Sequence, residues 1–496
     1  MSKLILVTGA TGYVGGRLVP RLLAQGYSVR VLVRHPERVA QHPWRDQVEI
    51  VAGDAEDEGT VSKALEGVSA AFYLIHAIGS SGDFEKIERD TAHIFAKAAK
   101  NQGVSRIIYL GGLQNDEKLS AHLRSRAEVG EILLKSGVPT IAFGAAVIIG
   151  SGSLSFEMLR YITERLPAMI TPRWVRTRIQ PIAIRDVLRY LTEAIEIPKE
   201  INRSFDIGGP DVLTYEQMMQ GYAKVAGLRR RIILPINILS PKLSSRWVGL
   251  VTPVPAHIAR PLVDSLKSEV ICVEDDIKKF IPDPPEGLLS FEQAVELALQ
   301  RVKQANVTSR WSSASVDGAP SDPLPTDPDW AGGSLYTDDR VAIANATAES
   351  LWEVIEGVGG ENGWYSFPLA WETRGLIDRI FGGPGLRRGR RNPKNLLVGE
   401  IVDFWRVEEC QRGKLLRLRA EMKMPGLAWL DLEVRQDENG EVEYHQHATY
   451  HPKGLLGHLY WFSVWPFHGF VFGSMVRNIT AAAKKLDKQK ANQAAS

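Results

Sequence analysis

The sequence predicts an α/β protein in which a doubly wound parallel sheet with a small substrate lobe is followed by a second, α+β domain. Three observations support this prediction. Strands and helices alternate over the first 150 residues, a glycine-rich turn joins the first strand to the first helix, and the composition changes abruptly near residue 308. A chain of 496 residues exceeds what one ordinary hydrophobic core holds, so at least two domains are expected.

Short apolar runs mark the strands of the first domain, and amphipathic stretches such as TVSKALEG and TAHIFAKAAKNQG lie between them. The runs are KLILVTG (3–9), SVRVLVR (28–34), VEIVAGD (48–54), SAAFYLIHA (69–77), SRIIYLGG (105–112) and VPTIAFGAAVIIG (138–150). This alternation is typical of a parallel sheet that is covered by helices on both faces.

The domain boundaries follow the composition. Residues 1–305 form the predicted first domain, and within it 151–305 are more helical and form the predicted substrate lobe. Residues 306–333 are rich in Ser, Pro, Asp and Gly and are predicted to be a linker. Residues 334–488 then show a strand, two helices, four strand-like runs and a closing helix, with DENG as a hairpin signal. A sheet wrapped on such a helix is expected to enclose a cavity.

The turn TGATGYVGG places Gly9, Gly12 and Gly15 between a strand and a helix. The first glycine permits the tight turn, the second lets the backbone approach a pyrophosphate, and the third lets the helix pack on the strand. The helix N-terminus offers N–H donors to phosphate. We therefore predict a dinucleotide site that also includes Thr11, Tyr13 and Val14; the alternative is a glycine-rich turn without a ligand.

The residue after the second strand indicates which dinucleotide is bound. Sites specific for NAD usually carry an acid there for the ribose 2′-hydroxyl, whereas this chain has Arg34. Because a guanidinium suits a 2′-phosphate, the sequence favours NADP(H) over NAD(H); the alternative is a surface arginine. Asp54 and Ala55 follow the third strand, where the carboxylate is expected to accept a hydrogen bond from the adenine amino group.

TGATGYVGG, VLVR, the Gly53–Asp54 pair and FYLIHAIG together resemble the short-chain dehydrogenase/reductase superfamily. The resemblance is strongest to its atypical branch, which includes NmrA-like proteins and the NADPH-binding accessory subunit of respiratory complex I. QPIAIRDVLRYL and SFDIGGPDVLTYEQMM extend it to about residue 300. The resemblance implies a Rossmann fold, NADP(H) binding and cofactor contacts from Ile75, His76 and Ala77. It is much less specific for activity.

Active members of that superfamily use Tyr-x-x-x-Lys on the helix after the fifth strand, and this chain departs from the pattern. The matching residues are His122 and Arg126, and Tyr109 lies within the strand, too early to substitute. In one interpretation His122 replaces the tyrosine as proton donor and Arg126 replaces the lysine as ribose clamp. In the other, which we favour, the usual mechanism is lost. Arg126 then anchors the cofactor or pairs with Glu128 or Asp116, and His122 caps a helix.

The second domain resembles an uncharacterised domain that often follows atypical short-chain reductases, and its element order resembles a START-like helix-grip fold. That resemblance implies a hydrophobic ligand such as a lipid, a quinone or a polycyclic compound. Seven of the twelve tryptophans follow the linker: Trp352, Trp364, Trp371, Trp405, Trp429, Trp461 and Trp465. Lining of a ligand site and ordinary core packing explain them equally well.

Two polar clusters in the second domain leave alternatives open. Arg387, Arg388, Arg390 and Arg391 lie on a glycine-rich stretch that suits a phosphate group, acidic side chains or solvent. His445, His447 and His451 fall on one face of a strand, but no fourth ligand is evident, so no metal site is predicted.

Composition excludes some classes of partner. The net charge of +2 argues against a nucleic-acid binder. Cys272 and Cys410 are far apart in sequence and form no metal-ligand pattern, which fits a reducing, cytoplasmic location. The apolar segment 454–476 is predicted to be a packed helix, kinked near Pro466, rather than a membrane span; peripheral membrane contact stays open. The oligomeric state is not readable from the sequence.

Two functional hypotheses follow. The first is an oxidoreductase, or a relic of one, that reduces a hydrophobic carbonyl, enone or quinone held with help from the second domain. The second is a non-catalytic sensor or assembly factor in which NADPH is structural or regulatory. Nucleotide-sugar epimerisation is weaker, since that reaction also uses the missing tyrosine.

Overall fold

The computed structural model divides into two compact units, Met1–Gly333 and Ser334–Ser496. The residues that it describes are 2–40, 42–76, 84–113, 120–236, 251–253, 265, 268–307, 324, 327, 331–367, 378, 395–436 and 440–494.

The first unit is built on a parallel sheet, as predicted, and this sheet has seven strands, one more than the sequence predicted. Its strands are β1 (Leu4–Thr8), β2 (Ser28–Val33), β3 (Val48–Ala52), β4 (Ala70–Tyr73), β5 (Arg106–Gly112), β6 (Thr140–Ala145) and β11 (Arg203–Ile207). Their spatial order is β11-β6-β5-β4-β1-β2-β3. The order reverses between β1 and β4, and in doubly wound sheets ligands bind at the carboxyl ends of the strands at such a point.

Helices cover both faces of this sheet. They are α1 (Tyr13–Ala24), α2 (Glu58–Leu65), α3 (Phe84–Asn101), α4 (Ala121–Leu134) and α6 (Ile184–Glu193). Their apolar residues bury against the strands in two core clusters, one on each side, which is why strands such as β4 are buried along their whole length. The sheet is therefore a rigid frame for whatever lies at its carboxyl edge.

The predicted substrate lobe contains helices and three two-stranded sheets. The helices are α5 (Leu154–Arg165), α7 (Tyr215–Val225) and a last helix, Phe291–Val307. The strand pairs are β7 (Ile148–Ile149) with β10 (Ile182–Ala183), β9 (Arg178–Ile179) with β12 (Leu213–Thr214), and β8 (Ala168–Pro172) with β13 (Ile232–Ile236). A third core cluster holds these elements together above the sheet.

Two residues of the predicted linker lie against the first unit. The Arg17 guanidinium, which is only 3% exposed, donates to both oxygens of Asp327 at 3.0 and 2.7 Å. A Cβ added to Gly16 would lie 2.6 Å from a Leu324 methyl group. These contacts place both residues beside α1, one turn after the glycine-rich turn.

The second unit is a six-stranded antiparallel sheet with a long C-terminal helix. Its strands are β14 (Tyr336–Ile343), β15 (Ile401–Val402), β16 (Trp405–Gln411), β17 (Leu415–Ala420), β18 (Gly426–Gln436) and β19 (Val442–Pro452). They follow the order β14-β19-β18-β17-β16-β15. A short helix, Ala348–Glu356, and the C-terminal helix, Gly454–Ala494, contribute to its core.

Most of the described tryptophans of the second unit pack in its interior. Trp352, Trp364 and Trp405 belong to the core cluster, and Trp429 and Trp461 are 6% and 5% exposed. Core packing therefore accounts for these five, whereas Trp465 is largely exposed. Three predicted features lie outside the described residues, apart from Asp378. They are Trp371, the second of the two helices predicted for this domain (RGLIDRIFGG, 374–383) and the Arg387–Arg391 stretch.

The long apolar segment 454–476 forms part of one continuous helix of 41 residues. The helices in the described parts of the chain include none that is long and apolar enough to cross a membrane. The same described ranges contain no group of three or more His, Cys, Asp or Glu side chains arranged to hold a metal ion.

Candidate functional site

The glycine-rich turn lies where the strand order reverses. Gly9 has a φ of +67°, and a Cβ there would lie 2.5 Å from the Leu74 carbonyl oxygen at the end of β4. A Cβ on Gly15 would lie 2.3 Å from the Gly9 carbonyl oxygen. The first and third glycines are thus required by backbone conformation and by close packing, as the spacing predicts.

A cavity of about 340 Å³ opens from this turn. The turn contributes Gly9, Gly12, Tyr13, Val14 and Gly15 to its wall. The rest of the lining is mostly apolar and includes Leu74, Leu110, Leu123, Val147, Ile179 and Val270. His76, His122 and Arg126 are the charged or titratable side chains of the lining apart from tyrosines, so polar chemistry is concentrated on one side of an apolar space.

The predicted specificity residues lie at the ends of β2 and β3, outside the cavity lining. The Arg34 guanidinium and the Asp54 carboxylate are 3.8 Å apart, and their side chains are 66% and 43% exposed. Asp54 also accepts a hydrogen bond from the Glu56 backbone N–H at 3.1 Å. Arg34 is therefore an accessible cation next to the glycine-rich turn. Among the described residues its ion-pair partner is Asp54, at a distance near the upper limit for an ion pair.

A buried carboxylate organises the polar side of the cavity. Glu88, on α3, is 3% exposed and accepts hydrogen bonds from His76 Nδ1 at 2.6 Å and from the Ser125 hydroxyl. Burial alone would raise the pKa of Glu88, but the His76 and Ser125 hydrogen bonds and the Arg126 charge lower it to about 2. The ionised carboxylate fixes the Nδ1–H tautomer of His76 and leaves Nε2 as an acceptor.

His122 stacks on His76, with ring centroids 5.0 Å apart and an interplanar angle of 27°. Its Nδ1 is buried and has no hydrogen-bond partner among the described residues. Burial, with the neighbouring His76 and Arg126, lowers the pKa of His122 to about 3. The ring is therefore neutral at pH 7, and it offers hydrogen bonding rather than an imidazolium acid.

Arg126 is held between the ends of two central strands. It donates to the Ile75 carbonyl at 3.2 Å and to the Leu110 carbonyl, and its guanidinium carbon lies 4.9 Å from the centre of the Tyr109 ring. The Tyr109 hydroxyl donates to the Arg126 carbonyl at 2.9 Å. No carboxylate within the described ranges forms an ion pair with Arg126, so its positive charge is available to a ligand in the cavity.

Several sequence predictions can be placed on this geometry. The cavity wall brings together Gly9, Gly12, Tyr13, Val14, Gly15, His76, His122 and Arg126, and leaves out Thr11, Arg34, Asp54, Ala55 and Ile75. Ala77 and Asp116 lie outside the described residues. Glu128 pairs with Arg89 rather than with Arg126. The suggestion that His122 caps a helix is wrong, because the cap of α4 is Ser120, whose hydroxyl accepts from the Leu123 N–H at 3.2 Å.

No role for Glu88 or Ser125 was predicted from the sequence. One signal was present in the sequence. Glu88 lies on the same buried face of α3 as Thr91, Ala92 and Phe95, so an acid occupies a core position. A buried acid requires partners, but the sequence does not reveal that they come from the end of β4 and from α4.

Comparison with known proteins identifies the family. A profile of the NmrA-like family matches residues 1–266. The chain belongs to the NmrA-like family. A second profile, of proteins of unknown function (DUF2867), matches residues 330–475 of this NmrA-like chain.

Relatives of this NmrA-like protein carry different functions. A ceramide reductase of Caulobacter vibrioides is 28% identical over 236 residues, which are 46% of this chain and 72% of the relative. The photosystem II assembly factor Ycf39 of Trieres chinensis is 23% identical and is matched over 55% of this chain and 84% of its own length. NADH dehydrogenase (ubiquinone) 1 alpha subcomplex subunit 9, mitochondrial, of Rattus norvegicus is 24% identical over 63% of this chain and 82% of its own length.

Among solved structures, a triphenylmethane reductase of Citrobacter sp. superimposes with a TM-score of 0.50 and 21% identity. The match covers 60% of this NmrA-like chain and 100% of the reductase. At that identity the likeness concerns the fold of the first unit.

The buried neutral histidine has a consequence for stability. Because the pKa of His122 falls from 6.5 to about 3 on folding, the unfolded chain binds more protons between these values. Stability is therefore expected to decrease as the pH falls from 6.5 toward 3, by on the order of a few kcal/mol from this group. His122→Phe should keep the ring stack and flatten this dependence in denaturant unfolding curves.

The control for this experiment is His35→Phe, because the His35 side chain is 61% exposed. This variant removes an exposed histidine and keeps the buried His122. Equal pH dependence in the His122→Phe variant and the wild type would contradict the assigned environment.

Proposed function

We propose that this NmrA-like protein binds NADP(H) and reduces a hydrophobic enone, quinone or other carbonyl compound. The observation that supports this most directly is that one continuous cavity connects the glycine-rich turn with His76, His122 and Arg126. A cofactor in the turn and a substrate beside the polar cluster would share that space. A cytoplasmic location fits this proposal.

The residues present fit a dinucleotide. At Gly9 and Gly15 the backbone leaves no room for a Cβ, so only glycine permits this turn. The turn precedes the N-terminus of α1, which favours anions. The Tyr13 hydroxyl in the cavity wall is buried and lacks a hydrogen-bond partner among the described residues, so a ligand group would satisfy it. Arg34, at the end of β2, suits a 2′-phosphate.

The bound nicotinamide would supply a hydride, and the chain supplies the electrostatics. Arg126 presents a fixed cation with unused N–H donors to the cavity, where it would stabilise negative charge that develops on a substrate oxygen. Glu88 orients His76 through Nδ1, so that Nε2 is available as a hydrogen-bond and proton acceptor. His122 stacks on the His76 ring as a neutral imidazole.

This set of groups favours substrates that need little acid assistance. Neither histidine is protonated to the imidazolium at neutral pH, because burial and the charge of Arg126 lower both pKa values. Reduction of an enone or quinone gives a delocalised oxyanion that Arg126 can stabilise before a proton arrives from water. A simple ketone would need the proton at the same time, which the missing tyrosine would have supplied.

The second unit is proposed to hold or deliver the hydrophobic substrate. Its antiparallel sheet and long C-terminal helix are compatible with a START-like helix-grip fold. The binding of a lipid, quinone or polycyclic ligand by the second unit is part of the proposal, and it rests on the order of the secondary-structure elements alone.

The cofactor preference is tested by titrating the protein with NADPH and NADH, followed by fluorescence. Arg34→Ala is expected to weaken NADPH binding by about 10- to 100-fold and to leave NADH binding nearly unchanged, because only NADPH carries the 2′-phosphate. The control is Arg45→Ala, an exposed arginine just before β3 and hence at the opposite, amino edge of the sheet. Equal loss of both dinucleotides would argue against this role for Arg34.

A second candidate function is a sensor or assembly factor in which NADPH binds without turnover. The observation that favours it is the loss of Tyr-x-x-x-Lys together with the neutral His122. NADPH binding without NADPH oxidation, across a panel of hydrophobic quinones and enones, would support this candidate. Quinone- or enone-dependent oxidation would reject it.

A further inference from the structure

The first half of the C-terminal helix exposes an apolar surface, which we call the aromatic face. It consists of Leu455, Leu456, Leu459, Phe462, Trp465, Phe467 and Phe470, which are between 38% and 71% exposed. At 100° per residue these positions span an arc of about 200° on one side of the helix. Contiguous apolar patches of this kind usually mark an interaction surface.

Packing of the opposite side fixes this orientation. Trp461 stacks on two tyrosines of the sheet, with ring centroids 4.9 Å from Tyr336 and 5.7 Å from Tyr450 and interplanar angles of 8° and 9°. The Tyr336 hydroxyl and His458 Nδ1 share a hydrogen bond of 2.8 Å. The helix is therefore anchored to β14 and β19 through one side, and the aromatic face points away from them.

The charged side chains that the helix itself carries along the apolar stretch are of one sign. From Tyr444 to Leu486 the sequence contains no aspartate or glutamate, and its lysines and arginines are Lys453, Arg477, Lys484 and Lys485. Lys453 and Arg477 are exposed at the two ends of the apolar stretch. An apolar helix surface with tryptophan and phenylalanine, which is bounded by cations and carries no acid of its own, fits the headgroup boundary of an anionic membrane.

We propose that the aromatic face binds the surface of membranes that contain anionic lipids, with the aromatic side chains at the acyl boundary and Lys453 and Arg477 among the headgroups. This inference is independent of the proposed reductase activity. It assigns the second unit a place where a hydrophobic substrate could be collected.

The test is co-sedimentation of the full chain with vesicles of phosphatidylcholine, with and without phosphatidylserine. The wild type is expected to bind the vesicles that contain phosphatidylserine more tightly. The double variant Phe462→Ser/Phe470→Ser should reduce partitioning by roughly tenfold or more, since two exposed rings no longer enter the membrane. The control is Ile343→Ser, which is 50% exposed at the other end of β14 from Tyr336 and should bind as the wild type does.

A second pair of variants separates charge from apolar contact. Lys453→Glu/Arg477→Glu should lower binding to phosphatidylserine vesicles by about tenfold and change binding to pure phosphatidylcholine little. Lys414→Glu, exposed next to the turn between β16 and β17, is the matched control.

Three outcomes would overturn the proposal. The first is that the wild type binds neither kind of vesicle, and the second is that the Phe462→Ser/Phe470→Ser variant binds as the wild type does. The third is a dimer in light scattering that this variant separates, because the aromatic face would then be an interface between two copies of the chain. Unchanged circular dichroism and NADPH binding in the variants would show that any loss is not due to unfolding.

Discussion

Replacing Gly9 with alanine is expected to abolish dinucleotide binding and to destabilise the first unit by about 3 kcal/mol or more. The φ of +67° costs an L-residue energy by itself, and the new Cβ would lie 2.5 Å from the Leu74 carbonyl oxygen. That oxygen belongs to the backbone at the end of a central strand and cannot move aside as a side chain can. The turn would open, and the N–H groups that face a phosphate would lose their arrangement.

Gly67→Ala is the matched control, because Gly67 has nearly the same φ, +70°, but nothing within 4 Å of an added Cβ. It should cost only about 1 kcal/mol and leave binding intact. The measurements are denaturant unfolding followed by circular dichroism and fluorescence titration with NADPH. If both variants were destabilised equally and both still bound NADPH, the close approach of the turn to β4 would not be the reason for Gly9.

Arg126→Lys is expected to lower turnover of a quinone or enone by about 100-fold or more, although the charge is kept. The guanidinium reaches the carbonyls of Ile75 and Leu110 at once, and this fixes its position at the cavity wall. A lysine ammonium is a single point charge and would bind only one of these two carbonyl oxygens. NADPH affinity should fall by less, about tenfold at most, because the phosphates are held at the glycine-rich turn and Arg34.

Arg124→Ala provides the control on the same helix. Arg124 is 63% exposed and lies 3.6 Å from Glu85, away from the cavity lining. Its removal should leave both kcat and NADPH affinity near wild type. Rates of NADPH oxidation for the wild type and both variants, with cofactor affinities measured separately, check the prediction; equal rates for Arg126→Lys and the wild type would remove Arg126 from the chemistry.

The parallel sheet and the glycine-rich turn could be predicted because their signals are local. Six apolar runs, five of them followed by a helical pattern, define six strands, and the glycine spacing around Gly9 defines the turn between the first strand and helix. The seventh strand, Arg203–Ile207, was not predicted as part of the sheet. It pairs with β6 across about 60 residues of sequence, and no local pattern encodes that pairing.

The polar cluster of the site could be predicted only in part. Alignment with a family motif identified His122 and Arg126, but their environment depends on Glu88, 34 residues earlier than His122, and on backbone carbonyls at two strand ends. Burial decides the protonation of His122, and burial is a property of the assembled fold. A sequence pattern can name such residues but cannot give their pKa.

The pair formed by Arg17 and Asp327 bears on how the first unit can be isolated or exchanged between proteins. A fragment cut at residue 305, where composition suggests the domain ends, would leave a buried guanidinium without its carboxylate on the helix that carries the phosphate-binding turn. Loss of one partner of a buried pair typically costs about 3–5 kcal/mol. The module that can be moved between proteins is therefore the continuous range Met1–Gly333, which joins the Rossmann body to the acidic segment that follows it, so that gene fusions or truncations should keep the two together.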